Sequence, residues 1–217
     1  RALVAKAFVE LGVSKIRLTG GEPLVRQNIM SLVENIGSLA ELDELTLTTN
    51  GSQLQKCAQQ LRDAGIKRIN ISIDSLQADR FKRITRTGDL AQVLAGIDAA
   101  IAANFDRIKL NTVILKGRNE DEILDLVNFA RRKNIDIAFI EEMPLGLIDE
   151  HNRALSFCSS DEVRDIISSQ HPLTSTNENT GGPSHYYRMA DSDSRIGFIS
   201  PHSHNFCGDC NRIRVTA

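Results

Sequence analysis

Lys15-Ile16-Arg17-Leu18-Thr19-Gly20-Gly21-Glu22-Pro23 is a β-branched and aliphatic run that stops on two glycines. Such a run reads as a parallel strand ending at a ligand. The glycines let backbone approach a partner with no Cβ in the way. Glu22 offers a carboxylate, and Pro23 stiffens the exit. Gly-Gly-Glu-Pro is also ordinary turn chemistry, so its meaning depends on what surrounds it.

Helical and strand patterns alternate outward from this stretch. A helix ending at Gly12 precedes it. After it come a helix over 29–37, a strand over 44–48, and a helix capped by Ser52 that ends at Ala64, with Gly65 as its C′ residue. A strand over 68–73 follows, then helical pattern over 78–84 and 90–103. A strand over 107–113, a helix over 120–133 and a strand over 137–140 close the series. Alternation of this kind implies parallel strands with crossover helices. Five strands are visible and a sixth is expected before Arg1, which favours a barrel, whole or partial, over an open sheet. The expected fold class is α/β, an incomplete (β/α)6 TIM-like barrel over 1–143. From Glu142 the register changes. A loop over 144–159, a short helix over 160–170, a Ser-, Thr-, Asn- and Gly-rich linker over 174–184 and short strands at 186–189 and 195–199 lead into a cysteine-bearing segment. Residues 144–217 are expected to close the barrel.

The 217 residues carry 26 Lys and Arg against 28 Asp and Glu. A net charge of −2 supplies no global field for nucleic acid or a membrane surface. No apolar run approaches the length of a membrane span. Four cysteines do not make a disulfide framework and point to a reducing, cytoplasmic setting. Arg1 is not a start methionine, residues 1–9 read as helix interior without an N-cap, and 214–217 look like the inside of a strand. The chain is therefore expected to be an internal fragment.

Parallel strands covered on both faces usually read as continuous apolar runs, and these do not. Ile16 and Leu18 alternate with Lys15, Arg17 and Thr19; Leu45 and Leu47 alternate with Thr46 and Thr48. Ile69, Ile71 and Ile73 alternate with Asn70, Ser72 and Asp74; Ile108 and Leu110 alternate with Lys109 and Asn111. Side chains alternate faces along a strand. The aliphatic set is expected to pack under helices, while the polar set lines a wet cavity for a large polar ligand. One such strand can be an edge, but four in series cannot all be. Ligands in such folds sit at the carboxyl ends of the strands. Gly20-Gly21-Glu22, Thr49-Asn50-Gly51, Asp74-Ser75 and Glu141-Glu142-Met143 occupy those ends.

Cys207-Gly208-Asp209-Cys210 is a C-x-x-C whose thiolates suit one metal or a cluster iron. If the following stretch is a strand, Arg212 and Arg214 leave one face together, suited to phosphate oxygens such as those of a triphosphate. The Ile213 backbone would lie against the same ligand. A zinc half-site completed by His202 and His204 is the competing reading; a redox dithiol lacks the helix start that such pairs precede. Cys57, within a helix, and Cys158, in a loop, read as structural. His151, His171 and His185 receive no role.

Leu18-Thr19-Gly20-Gly21-Glu22-Pro23-Leu24 and Leu47-Thr48-Thr49-Asn50-Gly51 resemble radical S-adenosylmethionine (SAM) enzymes. With Lys109-Leu110-Asn111 and the segment from Phe206 to Arg214 added, the chain resembles the GTP 3′,8-cyclase family of molybdenum cofactor biosynthesis, MoaA, across nearly its whole length. The resemblance implies a partial radical SAM barrel with a C-terminal cluster-binding segment. It implies SAM and two 4Fe–4S clusters as cofactors. A 5′-deoxyadenosyl radical takes the ribose 3′ hydrogen of GTP, and the sugar radical cyclises onto guanine C8. Matched by motif, Gly21, Glu22, Ser72 and Met143 take SAM. Arg17, Thr48, Lys109, Arg212, Ile213 and Arg214 take GTP, and Cys207 and Cys210 ligate the second cluster. No general acid or base is implied. The implied partners are an electron donor and the downstream cyclic pyranopterin synthase, with a homodimer possible and no nucleic acid or membrane partner. The C-x-x-x-C-x-x-C of the first cluster and the third cysteine of the second are not in the sequence, so the fragment is expected to be inactive. Another radical SAM enzyme with an auxiliary cluster, such as a peptide maturase, and a non-catalytic zinc-stabilised β/α module remain the alternatives; the paired arginines speak against a peptide substrate.

Overall fold

Four strands follow one another in sheet order as in sequence: β1 (Lys15–Leu18), β2 (Glu44–Thr49), β3 (Ile66–Ser72) and β4 (Arg107–Val113). All three of their pairings are parallel. The computed structural model describes residues 2–143, 151–204 and 212–216. It comprises two compact units, Arg1–Asn111 and Thr112–Ala217.

In the first unit α1 (Ala2–Glu10) precedes β1, and the strands are joined through α2 (Ile29–Gly37), α3 (Leu54–Asp63), α4 (Ala78–Thr85) and α5 (Leu90–Ala102). The aliphatic half of the alternation in β2, β3 and β4 forms the core, while Ile16 and Leu18 of β1 are half-buried. Leu47, Ile69, Ile71 and Leu110 are wholly covered, as are Leu54 and Leu61 of α3 and Ile97 of α5. Burial of side chains this size stabilises by about 1.5–3 kcal/mol each, which is why the alternation dictates which face turns inward. The helix α5 lies close on the turn after β2: a Cβ on Gly96 would stand 2.3 Å from the Gly51 carbonyl oxygen. Gly51 itself has φ +81°, a left-handed conformation that side chains strain.

In the second unit α6 (Ile123–Lys133) precedes β5 (Asp136–Ile140). Then come α7 (Arg153–Ser156), α8 (Ser160–Ser168), β6 (Leu173–Ser175), β7 (His185–Met189) and β8 (Arg195–Ile199). β8 pairs parallel with β5 and antiparallel with β7, which pairs antiparallel with β6. At the start of β5 and β8, Asp136 and Arg195 are both buried and hydrogen-bonded, with Arg195 Nε 3.1 and 3.2 Å from the two carboxylate oxygens. Arg195 also reaches Glu178 Oε2 at 2.9 Å and lies over the Tyr186 ring.

Several expectations are corrected. Ser52 does not cap α3; the cap position is Gln53, without a side-chain bond, and the Ser52 N–H donates to Asn50 Oδ1. Pro23–Val25 forms a short 3₁₀ turn that the pattern does not announce. The loop expected over 144–159 contains α7, capped by Asn152, and the linker expected over 174–184 begins within β6. Residues 212–216 carry no strand. The α8 helix is held at its start by a reciprocal capping box between Ser159 and Glu162.

Candidate functional site

The glycine pair after β1 faces open space. A Cβ built on Gly20 or on Gly21 would meet no atom within 4 Å, and Gly20 has φ +145°. Only a glycine adopts that conformation readily, so backbone is presented where a side chain would otherwise project. Glu22, the next residue, does not point its whole carboxylate at that space. Its Oε1 accepts from Leu24 N at 3.0 Å and from the Thr49 hydroxyl at 2.7 Å, and its Oε2 accepts from Asn50 N at 2.6 Å. The carboxylate thus caps the 3₁₀ turn and ties the end of β1 to the end of β2. The second half of that tie is itself ordered: Gly51 N donates to Thr49 Oγ1 at 3.1 Å and Ser52 N to Asn50 Oδ1 at 3.0 Å. Beside it, on α3, the Cys57 thiol is half-buried, and burial, then the Glu22 charge, pushes its pKa up.

Strand register assembles the polar half of the alternation on one face. Parallel partners in register point the same way, so Arg17, Thr46 and Arg68 form one row. Thr48, Asn70 and Lys109 form the next, and Ser72 with Asn111 the last. Asn70 Nδ2 donates to Thr48 Oγ1 at 3.3 Å. At the amino end of this face Glu44 partly neutralises the cations. It lies 2.8 Å from Arg68 Nε and 3.7 Å from Lys15 Nζ, and accepts from Thr46 Oγ1 at 3.2 Å. Arg17 and Ser72 are exposed, while Thr48 and Lys109 are half-buried. Among the described residues, no group satisfies the buried acceptor Asn111 Oδ1. The first unit therefore brings together Arg17, Thr48, Ser72 and Lys109 on one sheet face, with Gly21 and Glu22 beyond the end of its first strand.

In the second unit the carboxyl end of β5 carries Glu141, Glu142 and Met143. Met143 is 49% exposed. Glu142 accepts from His151 Nε2 at 2.9 Å, with Arg153 Nε at 3.6 Å, a pairing that sequence reasoning did not find. Glu141 is buried. Burial acts to raise its pKa, but hydrogen bonds from Ser203, Ser160 and His202 outweigh it and hold the carboxyl below its ordinary value. Arg212, Ile213 and Arg214 are exposed and not in a strand, so the one-face argument for the arginine pair loses its basis. Cys207 and Cys210 lie outside the described residues. Of the histidines offered to a zinc site, the His202 ring lies against Phe157, centroids 4.6 Å apart, and His204 Nε2 is 3.7 Å from Asp161. Cys158 is buried, and that burial pushes its thiol up to about 11. Among the described residues, no helix is long and apolar enough to cross a membrane.

Comparison with known proteins supplies the family. The model of the radical SAM superfamily matches residues 2–130, and that of the molybdenum cofactor synthesis C region matches 135–217. A "GTP 3′,8-cyclase" of Ectopseudomonas mendocina (strain ymp) is 60% identical over 214 residues, 99% of this chain and 65% of that protein. One of Pseudomonas putida (strain W619) is 62% identical over 98% of this chain and 64% of its own length. The chain thus spans a little under two thirds of these relatives. Among solved structures, Streptococcus suis SuiB bound to S-adenosylmethionine superposes with a TM-score of 0.64 at 15% identity, covering 93% of this chain and 43% of that one. Coproporphyrinogen III oxidase (HemN) from Escherichia coli, a radical SAM enzyme, gives 0.59 at 15% identity, covering 92% and 55%. These two share the fold, that of a partial TIM-like radical SAM domain. With more than half of its length matched by the superfamily model, this chain belongs to the radical SAM superfamily.

Proposed function

We propose that the full-length protein is a GTP 3′,8-cyclase of molybdenum cofactor biosynthesis, a lyase that converts GTP to (8S)-3′,8-cyclo-7,8-dihydroguanosine 5′-triphosphate. The observation that carries this reading is the register of β1–β4, which puts Arg17, Thr48 and Lys109 on one polar sheet face. Identity of 60% to proteins of that name supports the substrate assignment. SAM bound at a reduced 4Fe–4S cluster would supply the hydrogen-abstracting chemistry at the ribose 3′ carbon.

The residues fit such ligands. The open space before Gly20 and Gly21 admits the methionine end of SAM against backbone. Glu22 holds that backbone in place through Leu24, Thr49 and Asn50. Ser72 and Met143, at strand ends, are assigned to the SAM ribose and adenine. The unsatisfied Asn111 Oδ1 marks polar capacity on the face that Ser72 shares. Arg17, Lys109, Arg212 and Arg214 hold the anionic triphosphate, with Thr48 and the Ile213 backbone beside it. Cys207 and Cys210 are assigned to a second 4Fe–4S cluster. An electron donor, a cytoplasmic location and transfer of product to a cyclic pyranopterin synthase follow from the same assignment.

The arginine assignment is tested by replacing Arg212 and Arg214 together with alanine in the full-length protein. Charge-assisted hydrogen bonds contribute about 1.5–3 kcal/mol each. GTP affinity should fall by about two orders of magnitude while iron content stays that of the wild type. Unchanged GTP affinity would remove both arginines from the site.

A further inference from the structure

On the polar sheet face of the first unit, one row across the strands carries three arginines. Arg17 of β1 is in register with Thr46 of β2, Thr46 with Arg68 of β3, and Arg68 with Arg107 of β4. Lys15, two residues before Arg17, and Lys109, two residues after Arg107, share that face, because side chains alternate along a strand. The strand residues of this face thus hold five cations, Lys15, Arg17, Arg68, Arg107 and Lys109, against one carboxylate, Glu44. Glu44 lies 2.8 Å from Arg68 Nε and 3.7 Å from Lys15 Nζ, so it offsets one charge of the five.

Arg68 and Arg107 are direct parallel partners. Neighbouring strands lie about 4.8 Å apart, and like charges placed opposite each other destabilise a sheet. The other face of the same two strands carries no such conflict, for Ile69, Ile71, Ile108 and Leu110 are buried there. Local rules broken in this way are expected where a ligand supplies the compensation. With its side chain 13% exposed and its Nε held by Glu44, the Arg68 guanidinium has a fixed place on the face. Arg107 is exposed at the start of β4. Planar guanidiniums take phosphate oxygens through paired hydrogen bonds, so a polyphosphate fits this end of the face.

The direction of the substrate follows from the sites assigned above. Gly21 and Ser72 lie past the end of β1 and at the end of β3. SAM is therefore at the carboxyl ends of the strands, and the ribose 3′ carbon has to meet it there. The phosphates then extend past Thr48 and Lys109 to the row of Arg17, Arg68 and Arg107, which is two residues, about 6.6 Å, nearer the amino ends.

We propose that Arg68 and Arg107 bind the terminal phosphates of GTP and so set the preference for a triphosphate over a monophosphate. The inference rests on the GTP 3′,8-cyclase reading above, from which the places of SAM and the ribose are taken.

The test measures binding of GTP, GDP and GMP by titration calorimetry to full-length protein, reconstituted anaerobically and left unreduced so that nothing turns over. Arg68→Gln, Arg107→Gln and the double variant are compared with wild type, Arg107→Lys and Lys67→Gln. Lys67 is exposed on the opposite face of β3, where it donates to the Asp43 carbonyl oxygen, and controls for loss of a charge as such. Wild type should bind GTP more tightly than GMP. Each glutamine should lower GTP affinity by about tenfold, the scale of one charge-assisted hydrogen bond, and GMP affinity by less than about twofold. Arg107→Lys should keep part of the preference, because it keeps the charge without the fork. Lys67→Gln should match wild type, and SAM affinity and iron content should be unaltered throughout. A double variant with the GTP-to-GMP affinity ratio of the wild type overturns the proposal. An equal loss for GTP and GMP also overturns it, since the two arginines then act on the fold and not on the terminal phosphates. If the double variant does not fold, the exposed Arg107→Gln decides by the same ratio. A wild-type protein that binds GTP no better than GMP overturns the proposal alone; one that binds no GTP overturns the cyclase reading, and the proposal with it.

Discussion

Replacing Glu22 with glutamine separates a brace from a direct ligand. The carboxylate accepts from Leu24 N, Thr49 Oγ1 and Asn50 N at 3.0, 2.7 and 2.6 Å. An amide retains one oxygen. With that oxygen on Leu24 and Thr49, the amide hydrogens face the Asn50 N–H. In the flipped orientation Leu24 N loses its acceptor, while the Thr49 hydroxyl can rotate to accept. Either way one backbone N–H loses a charged acceptor, a loss of about 1.5–3 kcal/mol. Asn50 is exposed and Leu24 half-buried, so water replaces part of the bond and the lower figure applies. At about 2–4 °C per kcal/mol for a chain of this size, Tm should fall by about 3–6 °C. SAM affinity should fall by about tenfold, because the Gly20-Gly21 backbone loses its tie to the 49–51 turn. Thermal unfolding followed by circular dichroism and SAM titration calorimetry measure the two effects. An unaltered Tm with SAM binding abolished would refute the brace and make the Glu22 carboxylate a direct SAM contact.

Three further outcomes follow from packing and charge. Gly96→Ala puts a Cβ 2.3 Å from the Gly51 carbonyl oxygen, and should destabilise by about 1–3 kcal/mol; a urea midpoint equal to that of the wild type would contradict the close α5 packing. Asp136→Ala leaves the buried Arg195 guanidinium with Glu178 as its remaining ion partner among the described residues, and should cost about 3–5 kcal/mol, read from the same unfolding curves. The Lys116 ammonium, then the Ser159 backbone, holds Glu162 down to about 2. Its contribution is therefore present above the ordinary glutamate range and lost as pH falls from about 4.3 towards that value. Because Glu162 is 46% exposed, solvent screening limits the effect to about 1 kcal/mol or less. Glu162→Gln should flatten the stability profile between pH 5 and about 3; an identical profile would remove Glu162 from the acid response.

How much could be read in advance depended on the range of the interaction. The bounds of β4 and β8 agree with the sequence pattern because alternation and β-branching are local properties. The polar sheet face was legible for the same reason, since period-two alternation over β1–β4 reports which side chains share a side. The brace at Glu22 was not, because its partners Thr49 and Asn50 lie 27 and 28 residues away. Glu141 was seen only as a strand-end carboxylate, for its donors come from α8 and from the turn after β8. The Arg-Ala-Leu-Ser turn of α7 is too short to show a period, and its Asn152 cap is the one signal that marks it. Ser52 looked like a helix cap, but its backbone N–H is taken by the Asn50 side chain and the helix starts beyond it.

The cyclase assignment is tested most directly by following one hydrogen atom. Full-length protein, reconstituted anaerobically and reduced, is given SAM and GTP deuterated at the ribose 3′ carbon. Mass spectrometry then locates the label. The predicted result is deuterium in 5′-deoxyadenosine, formed together with a cyclised nucleotide that has lost it. Unlabelled 5′-deoxyadenosine, with the deuterium retained in unreacted GTP, would contradict the assignment.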